Sequence, residues 1–115
     1  MRRDFANISL KEKDRNAVEE AVELLKGDYP VSKVILFGSK ACLADELESD
    51  IDLLVLTTRE LPWREKDNII NSLFELQLKY DIIFDVLIVS EKEWNEGLTT
   101  VMPIHREIEE NGVLV

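Results

Sequence analysis

Apolar residues recur along this chain with two different spacings, and the change from one spacing to the other predicts helices and strands. Helical spacing covers residues 10–26 and 62–80, and two shorter helices are expected over 90–94 and 103–110. Gly27 ends the first helix, and Pro62 suits the first position of the second. The inward face of the long second helix is predicted to comprise Ile69, Ile70, Leu73, Leu76 and Phe74.

Two capping boxes mark helix starts. Ser9 with Glu12 and Ser90 with Glu93 have the spacing in which a hydroxyl caps the backbone three residues later. Both pairs are predicted to begin helices.

The apolar runs between the helices predict strands over residues 31–37, 51–56 and 82–89, with an edge strand over 113–115. Helices and strands alternate, which indicates an α/β sandwich around a small mixed sheet, formed by one domain over residues 1–115. The long helix between the second and third strands predicts a parallel pair with a right-handed crossover.

Composition narrows the functional classes. The 115 residues carry a formal net charge of −10, which argues against nonspecific binding to nucleic acid and suits a basic partner. No apolar stretch reaches membrane-spanning length and no secretory signal follows Arg2 and Arg3, so a cytoplasmic protein is expected. The single cysteine, Cys42, is interpreted as a packing residue.

Two aspartates stand at the start of the most apolar run. Asp50 and Asp52 are two residues apart, so in a strand they project from the same face. Their mutual repulsion calls for a cation, and Mg²⁺ prefers carboxylate and phosphate oxygens. The pair is therefore a candidate half of a magnesium site.

A Gly38-Ser39 turn after the first strand offers backbone N–H groups and a hydroxyl to a phosphate. It meets the two aspartates only if the first and second strands are antiparallel. Asp85, the one acid inside the third strand, would then complete the metal site or accept a proton from an attacking hydroxyl. Asp81 has the same parity but is interpreted as a turn residue.

Together these residues form G-S-x10-D-x-D, which resembles the signature of the minimal nucleotidyltransferase (MNT) family of the DNA polymerase β superfamily; the stretch SDIDLLV is similar as well. The resemblance implies a polymerase β palm-like fold and Mg²⁺-dependent transfer of AMP from ATP to a hydroxyl. It assigns Gly38, Ser39 and Lys40 to nucleotide binding. It assigns Asp50, Asp52 and Asp85 to catalysis and to holding two Mg²⁺ ions.

The loop after the first strand departs from the family pattern G-S-R-A-R-G. This chain has Lys40-Ala41-Cys42-Leu43, which lacks both arginines and the last glycine. Weakened nucleotide binding is therefore an alternative expectation.

The resemblance also implies a partner. Small members of the family act as antitoxins to HEPN-domain toxins, onto whose tyrosine they transfer AMP, so a hetero-oligomer with the toxin is one expectation. A homodimer is the other, because the predicted open sheet is small. Two alternatives stay open. One is a catalytically decayed module that neutralises its partner by binding, and the other is transfer to a small hydroxylated molecule.

Three further side chains receive structural interpretations. His105 is predicted to be a solvated residue on a helix surface. Trp63 and Trp94, near helix starts, are predicted to anchor helices to the sheet or to a partner.

Overall fold

A computed structural model describes residues 3–38 and 50–115 of the chain. Its centre is a sheet in the order β1-β5-β2-β3-β4. The predicted α/β class is confirmed, and Cys42 lies outside the described residues. The strands are β1 (Arg3–Asp4), β2 (Val31–Phe37), β3 (Ile51–Thr57), β4 (Phe84–Ser90) and β5 (Val113–Leu114).

Most helix ends lie one or two residues from their predicted positions. In the part of the chain that the structure describes, none of them is long and apolar enough to cross a membrane. Two short 3-10 segments, Phe5–Asn7 and Leu98–Val101, supplement them. The helices are α1 (Glu12–Asp28), α2 (Trp63–Tyr80), α3 (Glu91–Glu96) and α4 (Pro103–Asn111).

The sheet is mixed, as predicted. Strands β2 and β3 are antiparallel, whereas β3 and β4 are parallel and joined by α2. The end of β2 therefore lies beside the beginnings of β3 and β4. In this register Asp52 pairs with Phe37 on one side and with Asp85 on the other.

The two faces of the sheet are covered by different helices. Helices α1 and α2 cover one face, where Val18, Leu25 and Leu73 pack against β3 residues such as Leu53 and Val55. On the other face, Trp94 of α3 and Ile108 of α4 pack against Ile35, Leu54 and Leu56. The near-continuous burial of β3, and the burial of Val34, Ile35 and Leu36 in β2, follow from this double covering.

Only one of the two predicted capping boxes forms. The Ser90 hydroxyl accepts a hydrogen bond from the Glu93 amide at 3.1 Å, so the cap of α3 is confirmed. The prediction for Ser9 is wrong. Helix α1 begins at Glu12 with Lys11 as its N-cap residue, and no side chain caps it.

The C-terminal strand forms but is not at the edge of the sheet. Strand β5 lies between β2 and β1, a parallel strand that the pattern of residues did not predict. Two residues are too short to show a periodicity, so no sequence signal marked β1. The outer position belongs to β1 at one end of the sheet and to β4 at the other.

The predicted inward face of α2 is too wide. Ile69, Leu73 and Leu76 are buried, whereas Ile70 and Phe74 are about half exposed. The helix contacts α1 and the sheet along one stripe, and these two residues lie to the side of it.

The interpretations of Trp94 and His105 have different outcomes. Trp94 is buried and anchors α3, and its indole N–H donates to Glu109 at 2.8 Å. His105 is half-buried rather than solvated, because it stacks on the Trp94 ring at 4.3 Å and hydrogen-bonds the Trp94 carbonyl. Trp63 is 74% exposed and does not anchor α2 to the sheet.

Candidate active site

The beginning of β3 brings the predicted carboxylates together. Asp52 and Asp85 are paired residues on neighbouring parallel strands, so their side chains project from the same face of the sheet. Asp50, one residue before β3, and Asp85 are exposed, whereas Asp52 is half-buried. The three acids therefore lie together at the end of the sheet where β3 and β4 begin, with Asp52 in the middle.

The position of Asp52 follows from the alternation along β3. Leu54 and Leu56 share its face and pack under α3 and α4 around Trp94. Asp52 occupies the next position of that face, where the strand begins. A polar residue fits this position, because the apolar stripe on this face of β3 ends here and solvent begins.

Gly38 closes the other side of the site. Its backbone has φ of +75°, a left-handed conformation that L side chains rarely adopt. A β-carbon built there would lie 2.1 Å from Asp52 Oδ2. Both the conformation and the close approach require glycine, so the residue that follows β2 lies directly against the Asp52 carboxylate.

The environment of Asp52 disfavours its charged form. Its pKa is raised from 3.8 to about 6, first by partial burial and then by the negative charges of Asp85 and Asp50. A hydrogen bond to Asp85 contributes in the same direction. A bound cation would offset the negative charges of Asp85 and Asp50 that contribute to this raised pKa.

The residues fit a cation only in part. Within residues 3–38 and 50–115, no three His, Cys, Asp or Glu side chains form a ready-made metal-binding group. Asp50, Asp52 and Asp85 nevertheless supply hard oxygen ligands at one edge, and Mg²⁺ commonly takes one or two carboxylates and completes its shell with substrate phosphates and water. The donor set therefore suits a substrate-assisted magnesium site.

Gln77 is a positioning residue that the sequence analysis missed. Its side-chain oxygen accepts a hydrogen bond from the Phe84 amide at 2.8 Å, which fixes the first residue of β4 next to Asp85. Nothing in the helical pattern distinguishes Gln77 from other polar residues of α2. Its role depends on the turn that brings β4 back beside the helix.

Asp81 has a structural explanation, as predicted. It ends α2 in the left-handed conformation with φ of 53°, which aspartate tolerates better than most residues, and it is exposed. Its carbonyl accepts a hydrogen bond from the Lys13 ammonium at 3.3 Å.

The site therefore unites Gly38, Asp50, Asp52 and Asp85. The predicted nucleotide-binding residues Ser39 and Lys40 lie outside the described residues.

Comparison with known proteins agrees with this geometry. Residues 19–98 match the model of the family "Polymerase beta, Nucleotidyltransferase", which covers both central strands of the site and β4. The chain belongs to the polymerase β nucleotidyltransferase family. The assignment to the polymerase β superfamily, made from the G-S-x10-D-x-D pattern, is confirmed, and the narrower MNT assignment stays a prediction.

Two proteins of Methanocaldococcus jannaschii are similar to the chain, and both are named as candidate protein adenylyltransferases. One is 32% identical over 101 residues, which span 86% of this chain and 94% of that protein. The other is 40% identical over 58 residues, which span 50% of this chain and 59% of that protein.

A crystal structure of a candidate nucleotidyltransferase from Sulfolobus solfataricus has a similar fold. It superposes with a TM-score of 0.54 and 21% sequence identity, covering 92% of this chain and 87% of the other. The nucleotidyltransferase fold predicted from the sequence is confirmed.

Proposed function

We propose that this nucleotidyltransferase transfers AMP from ATP to a hydroxyl group of a protein. The observation that carries the proposal is the placement of Asp52 between the Gly38 turn and Asp85. A phosphate-binding turn and paired carboxylates at one sheet edge are the parts that nucleotidyl transfer needs. The names of the two archaeal relatives support a protein as the acceptor.

Each residue has a role in the proposed reaction. The Gly38 turn, with Ser39 and Lys40, holds the distal phosphates of ATP. Asp85 accepts the proton of the acceptor hydroxyl, whose oxygen forms a bond to the α-phosphorus. The bond from that phosphorus to the bridging oxygen breaks, and pyrophosphate leaves with the electron pair.

Magnesium fits this proposal as the cofactor. Asp50, Asp52 and Asp85 would hold two Mg²⁺ ions, which supply charge stabilisation at the transferring phosphate. The pKa of Asp52 is raised by partial burial and then by the charges of Asp85 and Asp50, and the contribution of those charges supports a bound cation as the functional state.

The acceptor proposed in finer detail is a tyrosine of a HEPN-domain toxin, with this chain as the antitoxin in the cytoplasm. Support comes from the family resemblance and from the net charge of −10, which complements a basic RNA-cleaving protein.

The experiment combines binding with label transfer. ATP is titrated calorimetrically into the protein with and without Mg²⁺, and ATP labelled at the α-phosphate is then incubated with the protein and a HEPN-domain protein. Binding that requires Mg²⁺, and α-label on a tyrosine of the partner, are expected. Absence of α-label transfer would overturn the proposal, as would transfer of label from the γ-phosphate.

Matched variants locate the chemistry. Asp50→Asn with Asp52→Asn, and separately Asp85→Asn, are expected to abolish label transfer. Asp81→Asn is the control, because this acid is only four residues from Asp85 and ends α2 instead of entering the site. Equal loss of transfer in the Asp81 and Asp85 variants would contradict the roles assigned here.

A second candidate function rests on the altered loop. Lys40, Cys42 and Leu43 replace the residues typical of the family, which favours a decayed module that neutralises a partner by binding alone. Such a module forms a stoichiometric complex whose protection persists in the Asp50→Asn/Asp52→Asn variant. Loss of protection in that variant, with the complex still formed, favours the enzyme.

A further inference from the structure

Strand β4 is a sheet edge without the usual protection against pairing. No strand within residues 3–38 and 50–115 pairs with its outer side. Natural edges are commonly blocked by lysine, proline, a bulge or short length. Strand β4, Phe84–Ser90, has seven residues, regular register with β3 and the sequence FDVLIVS, which lacks lysine and proline and whose only charged residue, Asp85, is near its beginning. The opposite edge, β1, is only two residues long.

The backbone groups that face outward can be identified from the register. The Ile51 amide donates to the Ile83 carbonyl, so residues 83, 85, 87 and 89 direct their backbone groups towards β3. The alternate residues face away from the sheet. The Phe84 amide is taken by Gln77, which leaves the amides and carbonyls of Val86 and Ile88 as the central outward pairs.

An exposed apolar surface lies next to this edge. Trp63, Ile70, Phe74 and Leu78, named here the α2 apolar flank, are between 48% and 74% exposed. Gln77 shows that this side of α2 faces β4, because it is three residues after Phe74 and seven after Ile70 and bonds to Phe84. The opposite side of the helix faces α1, through the hydrogen bond of Ser72 to Tyr29 and the ion pair of Lys79 with Glu20.

The charge of this surface favours a second copy as the occupant. Only Asp67 and Lys66, which carry opposite charges, stand at the helical spacing of the flank between Trp63 and Ile70, although the chain carries a net charge of −10. The acidity that suits a basic partner therefore lies elsewhere. A nearly uncharged flank beside an open strand is self-complementary, because a two-fold axis brings apolar flank to apolar flank and strand edge to strand edge.

We infer that two copies of this chain associate through β4 and the α2 apolar flank. The β4 strands pair antiparallel around Leu87, so that Val86 of one copy exchanges backbone hydrogen bonds with Ile88 of the other. The two α2 helices then lie antiparallel on the same side of a continuous sheet, with Ile70 and Phe74 at their contact.

The test measures the mass of the protein in solution by light scattering after size exclusion, over a range of concentrations. Twice the chain mass of 13.3 kDa is expected for the unaltered protein. Ile70→Glu/Phe74→Glu places charges in the contact and is expected to raise the dissociation constant by about thirtyfold or more. Leu98→Glu/Val101→Glu is the matched control, because both side chains are 81% exposed on the 3-10 segment Leu98–Val101.

Circular dichroism and thermal unfolding establish that each variant is folded. Hydrogen exchange gives a second readout, because the Val86 and Ile88 amides are expected to be protected in the dimer and to exchange on dilution. A monomer at all concentrations would overturn the inference. A dimer equally stable in the Ile70→Glu/Phe74→Glu variant, or equal weakening in the control, would overturn it as well. Neither measurement depends on nucleotide transfer.

Discussion

The α-carbon of Gly38 lies against the carboxylate of Asp52, so that a β-carbon at this position would be 2.1 Å from Asp52 Oδ2. The contact joins Gly38, which follows β2, to Asp52, the second residue of β3. It means that Gly38 and the central carboxylate of the proposed site are positioned by each other.

Gly38→Ala is expected to lower the free energy of unfolding by about 2 kcal/mol, because an L side chain is strained at φ of +75° and overlaps the carboxylate. Urea denaturation measures the change. Gly27→Ala is the control: its position near the end of α1 has no atom within 4 Å of the added carbon, so alanine there is expected to stabilise by about 0.5 kcal/mol. Unchanged stability of Gly38→Ala would contradict the close approach.

A double-mutant cycle separates the two costs at Gly38. In an Asp52→Ala background, Gly38→Ala no longer overlaps a carboxylate and retains only the backbone strain. The destabilisation is therefore expected to fall to about 1 kcal/mol. Additive effects of the two substitutions would place the whole cost in the backbone.

Without metal, the protein is expected to become more stable as the pH falls from 7 towards 4. The folded pKa of Asp52, about 6, lies above its ordinary value of 3.8, so the folded state binds more protons between these values. The penalty is complete above the folded pKa and disappears below the unfolded one. Melting temperatures measured against pH with EDTA, for the protein and for Asp52→Asn, report this difference.

Asp52→Asn is expected to melt at a higher temperature than the unaltered protein above pH 6, and the gain is expected to vanish near pH 4. Other acids titrate in both proteins and cancel in the comparison. Parallel curves over the whole range would contradict the raised pKa.

Magnesium is expected to raise the melting temperature of the unaltered protein, more strongly at pH 7.5 than at pH 5, because protons and cations compete for the same carboxylates. EDTA is expected to reverse the effect. Sodium chloride at matched ionic strength controls for screening. An equal response in the Asp50→Asn/Asp52→Asn variant would show that the cation acts elsewhere.

Gln77→Ala is expected to lower the free energy of unfolding by about 1 to 2 kcal/mol, because the Phe84 amide loses its acceptor. The substitution is also expected to reduce transfer by displacing Asp85, whose strand begins at Phe84. Gln77→Glu retains an acceptor oxygen and serves as the conservative control. Equal transfer by the alanine and glutamate variants would limit Gln77 to a role in stability.

His105→Ala is expected to lower the free energy of unfolding by about 1 to 2 kcal/mol, because both the ring contact with Trp94 and the hydrogen bond to the Trp94 carbonyl are lost. Arg106→Ala is the neighbouring control. It removes only an exposed ion pair with Glu110 and is expected to cost about 0.3 kcal/mol. Equal effects of the two substitutions in thermal unfolding would contradict the stabilising contact of His105 with Trp94.

Sequence periodicity predicted the parts of the fold that are governed by burial. Strand β2, Val31–Phe37, has the predicted bounds, and the antiparallel pairing of β2 with β3 was predicted from the need to bring Gly38 to Asp52. The same periodicity placed Ile70 and Phe74 inside, because an apolar residue on a helix carries no mark of which neighbour covers it. Ile70 and Phe74 are exposed, and they form part of the proposed contact between two copies of the chain.

Contacts between distant segments left no local signal. The sequence pattern gave no reason to pair Gln77 with Phe84, to stack His105 on Trp94 or to set β1 beside β5. Each depends on where a later turn or helix places its partner. The candidate carboxylates could be predicted, because an acidic residue at the start of an apolar run, or inside one, is unusual in a sequence.

The position of β5 has a consequence for the order of events during synthesis. Arg3 pairs with Val113, and β5 also supplies the partner for Ile35 and Leu36 of β2. Strand β1 therefore enters the sheet only after β5, far along the chain, has been synthesised. The α1 to β4 segment, with the carboxylates of the site, can assemble earlier, since its strand pairs are closer in the chain. A nascent chain would then bring Asp50, Asp52 and Asp85 together before β1 is in place.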